Sequence, residues 1–196
     1  MVKSIANFIS NVSNPLFITV PFSFALIFKT SDNLQYALHW TFISGIFATT
    51  VGAFVLYGVK KGFFSNLDVS KRIQRPPLFI FTAVMSLIYL LITLYFKGPQ
   101  IILFGLAVLL LGIFIAEIVN TKIKASMHLA VYSSFCLALG IIYGGEFWTF
   151  TLFIPAVAWS RITLKRHTLP ETIAGTTLGL SIVFVSYLVI KYLLIR

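Results

Sequence analysis

Residues 160–171 read S-R-I-T-L-K-R-H-T-L-P-E. Arg161 stands six residues before His167, and Glu171 stands four after it. In a chain with so few charges, a serine, an arginine, a histidine and a carboxylate grouped this closely point to chemistry. Ser160 and Arg161 add donors for an anion, the arginine as a planar fork. Two other groups share this character: Lys71, Arg72 and Arg75, then Lys122, Lys124, Ser126 and His128. So many donors suit a phosphate, whose oxygens accept from several cations at once.

The elements that must position these residues are strongly apolar. Of 196 residues, 59% are hydrophobic and 10% charged, with a mean hydropathy of +0.98. That composition implies an integral membrane protein. Apolar runs long enough to cross about 30 Å of hydrocarbon as helices fall roughly at 5–28, 35–57, 78–96, 100–119, 128–143, 147–164 and 171–194. The expected fold is therefore an all-α polytopic transmembrane bundle of six to seven spans, one integral membrane domain over 1–196. Asn7, Asn11, Asn14 and Pro15 interrupt the first run, whose amino-terminal half has the alternative of lying on the membrane surface. The runs at 128–143 and 147–164 are short. Barrel strands would alternate instead of staying apolar throughout. Cys136, the sole cysteine, allows no intrachain disulfide.

Three polar, basic connections lie at 60–75, 120–126 and 161–171. Two spans separate the first from the second, and two more separate the second from the third. An even number of crossings returns a chain to the side it left. All three connections are expected on one face, with short turns at 97–100 and 144–146 opposite. That face would carry Lys3, Lys60, Lys61, Lys71, Arg72, Arg75, Lys122, Lys124, Arg161, Lys165 and Arg166, against Lys29, Lys97, Lys191 and Arg196. The positive-inside rule leans toward a cytoplasmic face. The net charge of +10 would draw it toward anionic headgroups and needs no nucleic acid to explain it.

Plainer roles exist for several of these residues. Lys60, Lys61, Lys165 and Arg166 fit simple topology signals. Thr168 and Glu171, with Pro170 between them, read as a capping box ahead of an apolar run. His39, beside Trp40, reads as a packed or interfacial histidine. Glu117, near the end of a span, reads as a partner to a cation, since a lone carboxylate there is costly. The 20 phenylalanines and eight tyrosines are lipid-facing and interfacial.

The pattern S-R, five residues, H, three residues and an acid resembles the third signature of the type 2 phosphatidic acid phosphatase superfamily, S-R-x5-H-x3-D. A-S-M-H at Ala125 to His128 is similar to that family's second signature, P-S-G-H. Arg75-Pro76 matches the second half of the first, K-x6-R-P. The resemblance covers roughly 68–196. Asp68 stands where the family's lysine would fall, so that cation would have to be Lys71 or Arg72, of which Arg72 shares a helical face with Arg75. Glu171 replaces an aspartate, Met127 replaces a glycine, and two helices intervene between the first two signatures.

The resemblance implies a metal-independent lipid phosphate or diphosphate phosphatase without a cofactor. His167 would be the nucleophile, Glu171 its orienting acid and His128 the general acid and base. Lys71, Arg72, Arg75, Lys124, Ser126, Ser160 and Arg161 would bind the phosphoryl oxygens. Substrates would be of the polyprenyl diphosphate, phosphatidic acid or phosphatidylglycerophosphate kind, drawn from the bilayer. A phosphotransferase using the same site, and a non-catalytic lipid-phosphate binder or carrier, remain as alternatives. Magnesium-dependent prenyl transfer would want aspartate-rich motifs, whereas the five acids, Asp32, Asp68, Glu117, Glu146 and Glu171, are scattered.

Overall fold

A computed structural model describes residues 1–194; Arg196, counted above among the opposite-face cations, lies outside them. The described residues are helical, without strands. The helices are α1 (Val2–Val12), α2 (Pro15–Ser31), α3 (Leu34–Lys60), α4 (Arg75–Tyr95), α5 (Gln100–Asn120), α6 (Met127–Tyr143), α7 (Ile154–Thr163) and α8 (Leu169–Val189). Two 3-10 segments, Arg72–Gln74 and Gly145–Phe153, lead into α4 and α7, and a π-helical turn, Ile190–Leu194, follows α8.

Among the described residues, four helical stretches are long and apolar enough to cross a membrane: Leu34–Lys60, Arg72–Tyr95, Gln100–Asn120 and Leu169–Tyr192. A fifth results if α1 and α2 count as one broken span. The first run breaks between Val12, where α1 ends, and Pro15, where α2 starts; Asn14 lies in the break, while Asn7 and Asn11 lie within α1. The run at 128–143 becomes a 17-residue helix. The run at 147–164 divides into a nine-residue 3-10 segment, which follows the positive-φ turn at Gly144 and Gly145, and a ten-residue α-helix with Pro155 at its start.

The chain's contacts divide it into two compact units, Met1–Pro15 with Ile118–Arg196, and Leu16–Glu117. In the second unit the core centres on Ile27, Ala37, Trp40, Tyr89, Ile102 and Leu106. Tyr89 donates to or accepts from Ser44 at 2.7 Å and stacks on Phe47. The connection after α3 is an ordered loop. Phe64 N donates to Gly58 O, and the ring of Phe64 occupies the space a Cβ at Gly58 would need. Ser65 N donates to Gln74 Oε1, and Asn66 Oδ1 accepts from Ser70 N and Oγ.

In the first unit, α8 packs along α6. A Cβ at Gly175 would lie 2.3 Å from Ser126 O, and one at Gly179 would lie 2.0 Å from Ala130 O. Only glycine permits this approach, the small-residue packing that membrane helices use where no hydrophobic drive exists between them. Ser133 Oγ donates to Thr176 O at 3.1 Å and Ser134 Oγ to Gly179 O at 3.1 Å, tying the two helices together. The 3-10 segment also packs on α6, where Trp148 fills the space beside Gly140. Finally α1 packs on α7, burying Ala6 and Ser10 while Ile5, Phe8 and Val12 stay exposed.

Candidate functional site

The turn between α7 and α8 makes the local geometry. Arg166 N donates to Arg161 O at 3.0 Å and Lys165 N to Ile162 O at 2.9 Å, the paired closure of a Schellman motif. Lys165 takes the left-handed position at φ 55, where glycine is usual. His167 N also reaches Arg161 O, at 3.3 Å, so the turn folds His167 back beneath the end of α7. Thr168 and Glu171 then form the capping box that starts α8, with Leu169 and Pro170 in its first turn.

Glu171 has more than that one task. Its Oε2 accepts from Thr168 N at 3.1 Å, lies 2.9 Å from His167 Nδ1 and 3.5 Å from Lys124 Nζ. Capping and histidine orientation therefore coexist on one oxygen. With an ionised carboxylate accepting, Nδ1 carries the proton and the ring's lone pair resides on Nε2. Lys124 Nζ also donates to Arg166 O at 2.9 Å. This lysine thus clamps the 120–126 connection to the α7–α8 turn.

The second connection meets the same place. Ser126 N donates to Glu171 O at 3.0 Å, across the gap that Gly175 leaves. Ser126 is the N-cap of α6 in extended conformation, and His128 lies in that helix's first turn. Met127 opens the helix at ordinary negative φ, so the glycine of the family pattern is not required by the backbone here. An N-cap serine normally gives its oxygen to the helix's own N–H groups. Ser126 does not, and the fully buried Oγ atoms of both Ser126 and Ser160 have no hydrogen-bond partner among the described residues.

Burial sets these residues apart from ordinary loop cations. Arg161 is 1% exposed, His128 6% and His167 7%. The guanidinium of Arg161 donates through Nη1 to Ser10 Oγ in a short bond. Buried charge is tolerated only when paired, and here a residue of α1 does part of that pairing.

The first unit thus gathers Lys124, Ser126, His128, Ser160, Arg161, His167 and Glu171 on α6, α7, α8 and their connections. Lys71, Arg72 and Arg75 belong to the second unit. Lys71 precedes the 3-10 turn and is exposed, as is Arg72 within it, while Arg75 opens α4 buried. Arg72 and Arg75 therefore differ in environment despite standing three apart. His39 is exposed, its ring edge-on to Trp40. No group of three or more His, Cys, Asp or Glu residues fit to hold a metal occurs among the described residues.

Three features were not foreseen from the sequence. Gly175 and Gly179 had a legible signal, G-x3-G in an apolar run. Lys165 in a glycine position has none, and neither has Ser10, whose partner is 151 residues away.

Between α7 and α8 lies a groove of about 460 Å³, lined chiefly by Trp159, Ile162, Leu169, Ile173 and Thr176 and by none of the cluster's own residues. Compared with protein-family models, curated proteins and solved structures, the chain finds no match.

Proposed function

We propose that this protein is an integral membrane phosphatase acting on a lipid phosphate or diphosphate through a phosphohistidine. The observation that carries the reading is the buried His167 held through Nδ1 by Glu171 at 2.9 Å, with buried Arg161 six residues earlier. The partnerless hydroxyls of Ser126 and Ser160 support it as donors awaiting a ligand. The apolar groove between α7 and α8 suits a lipid tail.

In this mechanism His167 Nε2 attacks phosphorus and the phosphorus–oxygen bond to the lipid breaks. His128 gives its proton to the departing oxygen, and Glu171 stabilises the imidazolium. His128 then takes a proton from water, whose oxygen displaces His167 and releases inorganic phosphate. Arg161, Ser126 and Ser160 hold the phosphoryl oxygens, where preorganised donors lower the barrier most. Lys124, engaged with Glu171 and the Arg166 carbonyl, acts as a strut. Arg72 or Lys71, and Arg75, enter as phosphate ligands on the sequence resemblance alone, the full count of six to seven spans rests on the apolar runs, and the cytoplasmic placing of the site rests on the positive-inside rule.

The full chain in detergent, with chelator present, is expected to release phosphate from at least one of polyprenyl diphosphate, phosphatidic acid and phosphatidylglycerophosphate. His167→Ala should abolish release without loss of fold. Undiminished release by that variant would sink the mechanism. Transfer of phosphate to a lipid or sugar hydroxyl in place of water would make it a phosphotransferase, and binding without turnover would make it a carrier.

A further inference from the structure

The α1 helix supplies a buried partner to the arginine that the sequence pattern singles out. Ala6 and Ser10 stand four apart and share a face of α1. Both are small and both are buried, so α1 can come close to α7. At that contact Arg161 Nη1 donates to Ser10 Oγ, with Arg161 1% and Ser10 5% exposed. Nothing about α1 as an anchor on α7 requires a hydroxyl there; alanine, as at position 6, would pack equally well.

We propose that Ser10 is a positioning residue for the anion site, fixing the guanidinium of Arg161 before a phosphoryl group arrives. An arginine side chain has many rotamers to lose when it binds an anion. A partner that holds it beforehand removes that cost from binding and improves the match to the transition state. The α1 helix is thereby part of the site. The inference rests on Arg161 being an anion ligand, as in the reading above, and adds that its aim depends on a residue 151 positions earlier in the chain.

The test uses the full chain in detergent and orthovanadate as the probe, with affinity measured by calorimetry and melting temperature measured alongside. Ser10→Ala is expected to weaken vanadate binding about 10-fold, the scale of one hydrogen bond to a charged group, with a modest fall in melting temperature because the buried guanidinium loses a partner. Ala6→Gly loosens the same helix contact without touching the hydroxyl and is expected to bind vanadate as the parent does. With a lipid phosphate that turns over, Ser10→Ala should lower kcat/KM by a similar factor. Parental affinity in Ser10→Ala overturns the proposal, and so does an equal loss in Ala6→Gly, which would mark a packing effect. Vanadate binding that responds to Ser10 in a chain that hydrolyses no lipid phosphate leaves Ser10's role standing and overturns the phosphatase reading alone. No vanadate binding by the parent chain overturns both.

Discussion

At the scale of single residues, Glu171 holds two roles that can be separated. Its Oε2 caps α8 through Thr168 N and orients His167 through Nδ1. Glutamine serves nearly as well as glutamate in a capping box, but an amide cannot stabilise an imidazolium. Glu171→Gln should therefore keep its melting temperature while phosphate release falls about 10³–10⁴-fold, the scale seen when a triad carboxylate becomes an amide. Glu171→Ala should lose activity and in addition about 1 kcal/mol of stability with the cap. Melting curves and initial rates on the same preparations decide; equal activity in Glu171→Gln and the parent would reduce Glu171 to a cap. The pairing was legible in the sequence because it is local, four residues on one turn. Ser10 against Arg161 was not, since nothing in either segment encodes which distant helix it meets.

At the scale of elements, two backbone features hold the histidines in place. Lys165 occupies a left-handed position that costs a side chain about 1 kcal/mol relative to glycine. Lys165→Gly should raise stability by about that amount, partly offset by the greater freedom of glycine in the unfolded chain, and thermal unfolding in detergent reads it. Unchanged or lowered stability would mean that the lysine side chain contributes more than its backbone costs. Gly175 works in the opposite sense. A Cβ there would lie 2.3 Å from the Ser126 carbonyl, so Gly175→Ala must push the start of α6 away from α8. On the proposed mechanism, displacement of His128 by even 1 Å is enough for a loss of about 10²-fold in rate, and phosphate release by Gly175→Ala measures it. Helix positions were readable from apolar runs and from breakers such as Pro15. The 3-10 form of Gly145–Phe153 was not, because hydrophobicity alone does not distinguish 3-10 from α geometry in a uniformly apolar run.

At the scale of the whole molecule, composition settles the membrane, and the number of crossings turns on α6 and the stretch that follows it. Helix α6 has 17 residues, about 26 Å at 1.5 Å per residue, slightly less than the roughly 30 Å of hydrocarbon. The next stretch looks worse, with only ten α-helical residues in α7. Yet a 3-10 helix rises about 2 Å per residue, so nine such residues and ten α-helical ones laid end to end reach about 33 Å. By length alone each reaches far enough to cross, with modest local thinning for α6, though neither is among the four or five stretches both long and apolar enough to do so. If both do, the connections at Thr121 and Lys165 share a side and Glu146 lies on the other. Single cysteines at these three exposed positions, in a Cys136→Ser background that keeps a donor to Phe150 O, make this measurable with an impermeant maleimide. Glu146→Cys should label in intact cells, whereas Thr121→Cys and Lys165→Cys should label only after permeabilisation, because the lysines and arginines of those two connections favour the cytoplasm. The reverse pattern keeps the crossings and moves the proposed site to the outer face. Labelling of all three from one side would mean that α6 and the stretch after it enter and leave the bilayer without crossing. Labelling of Thr121→Cys and Lys165→Cys from opposite sides would mean that only one of the two crosses, and the parity that places the basic connections together would then fail.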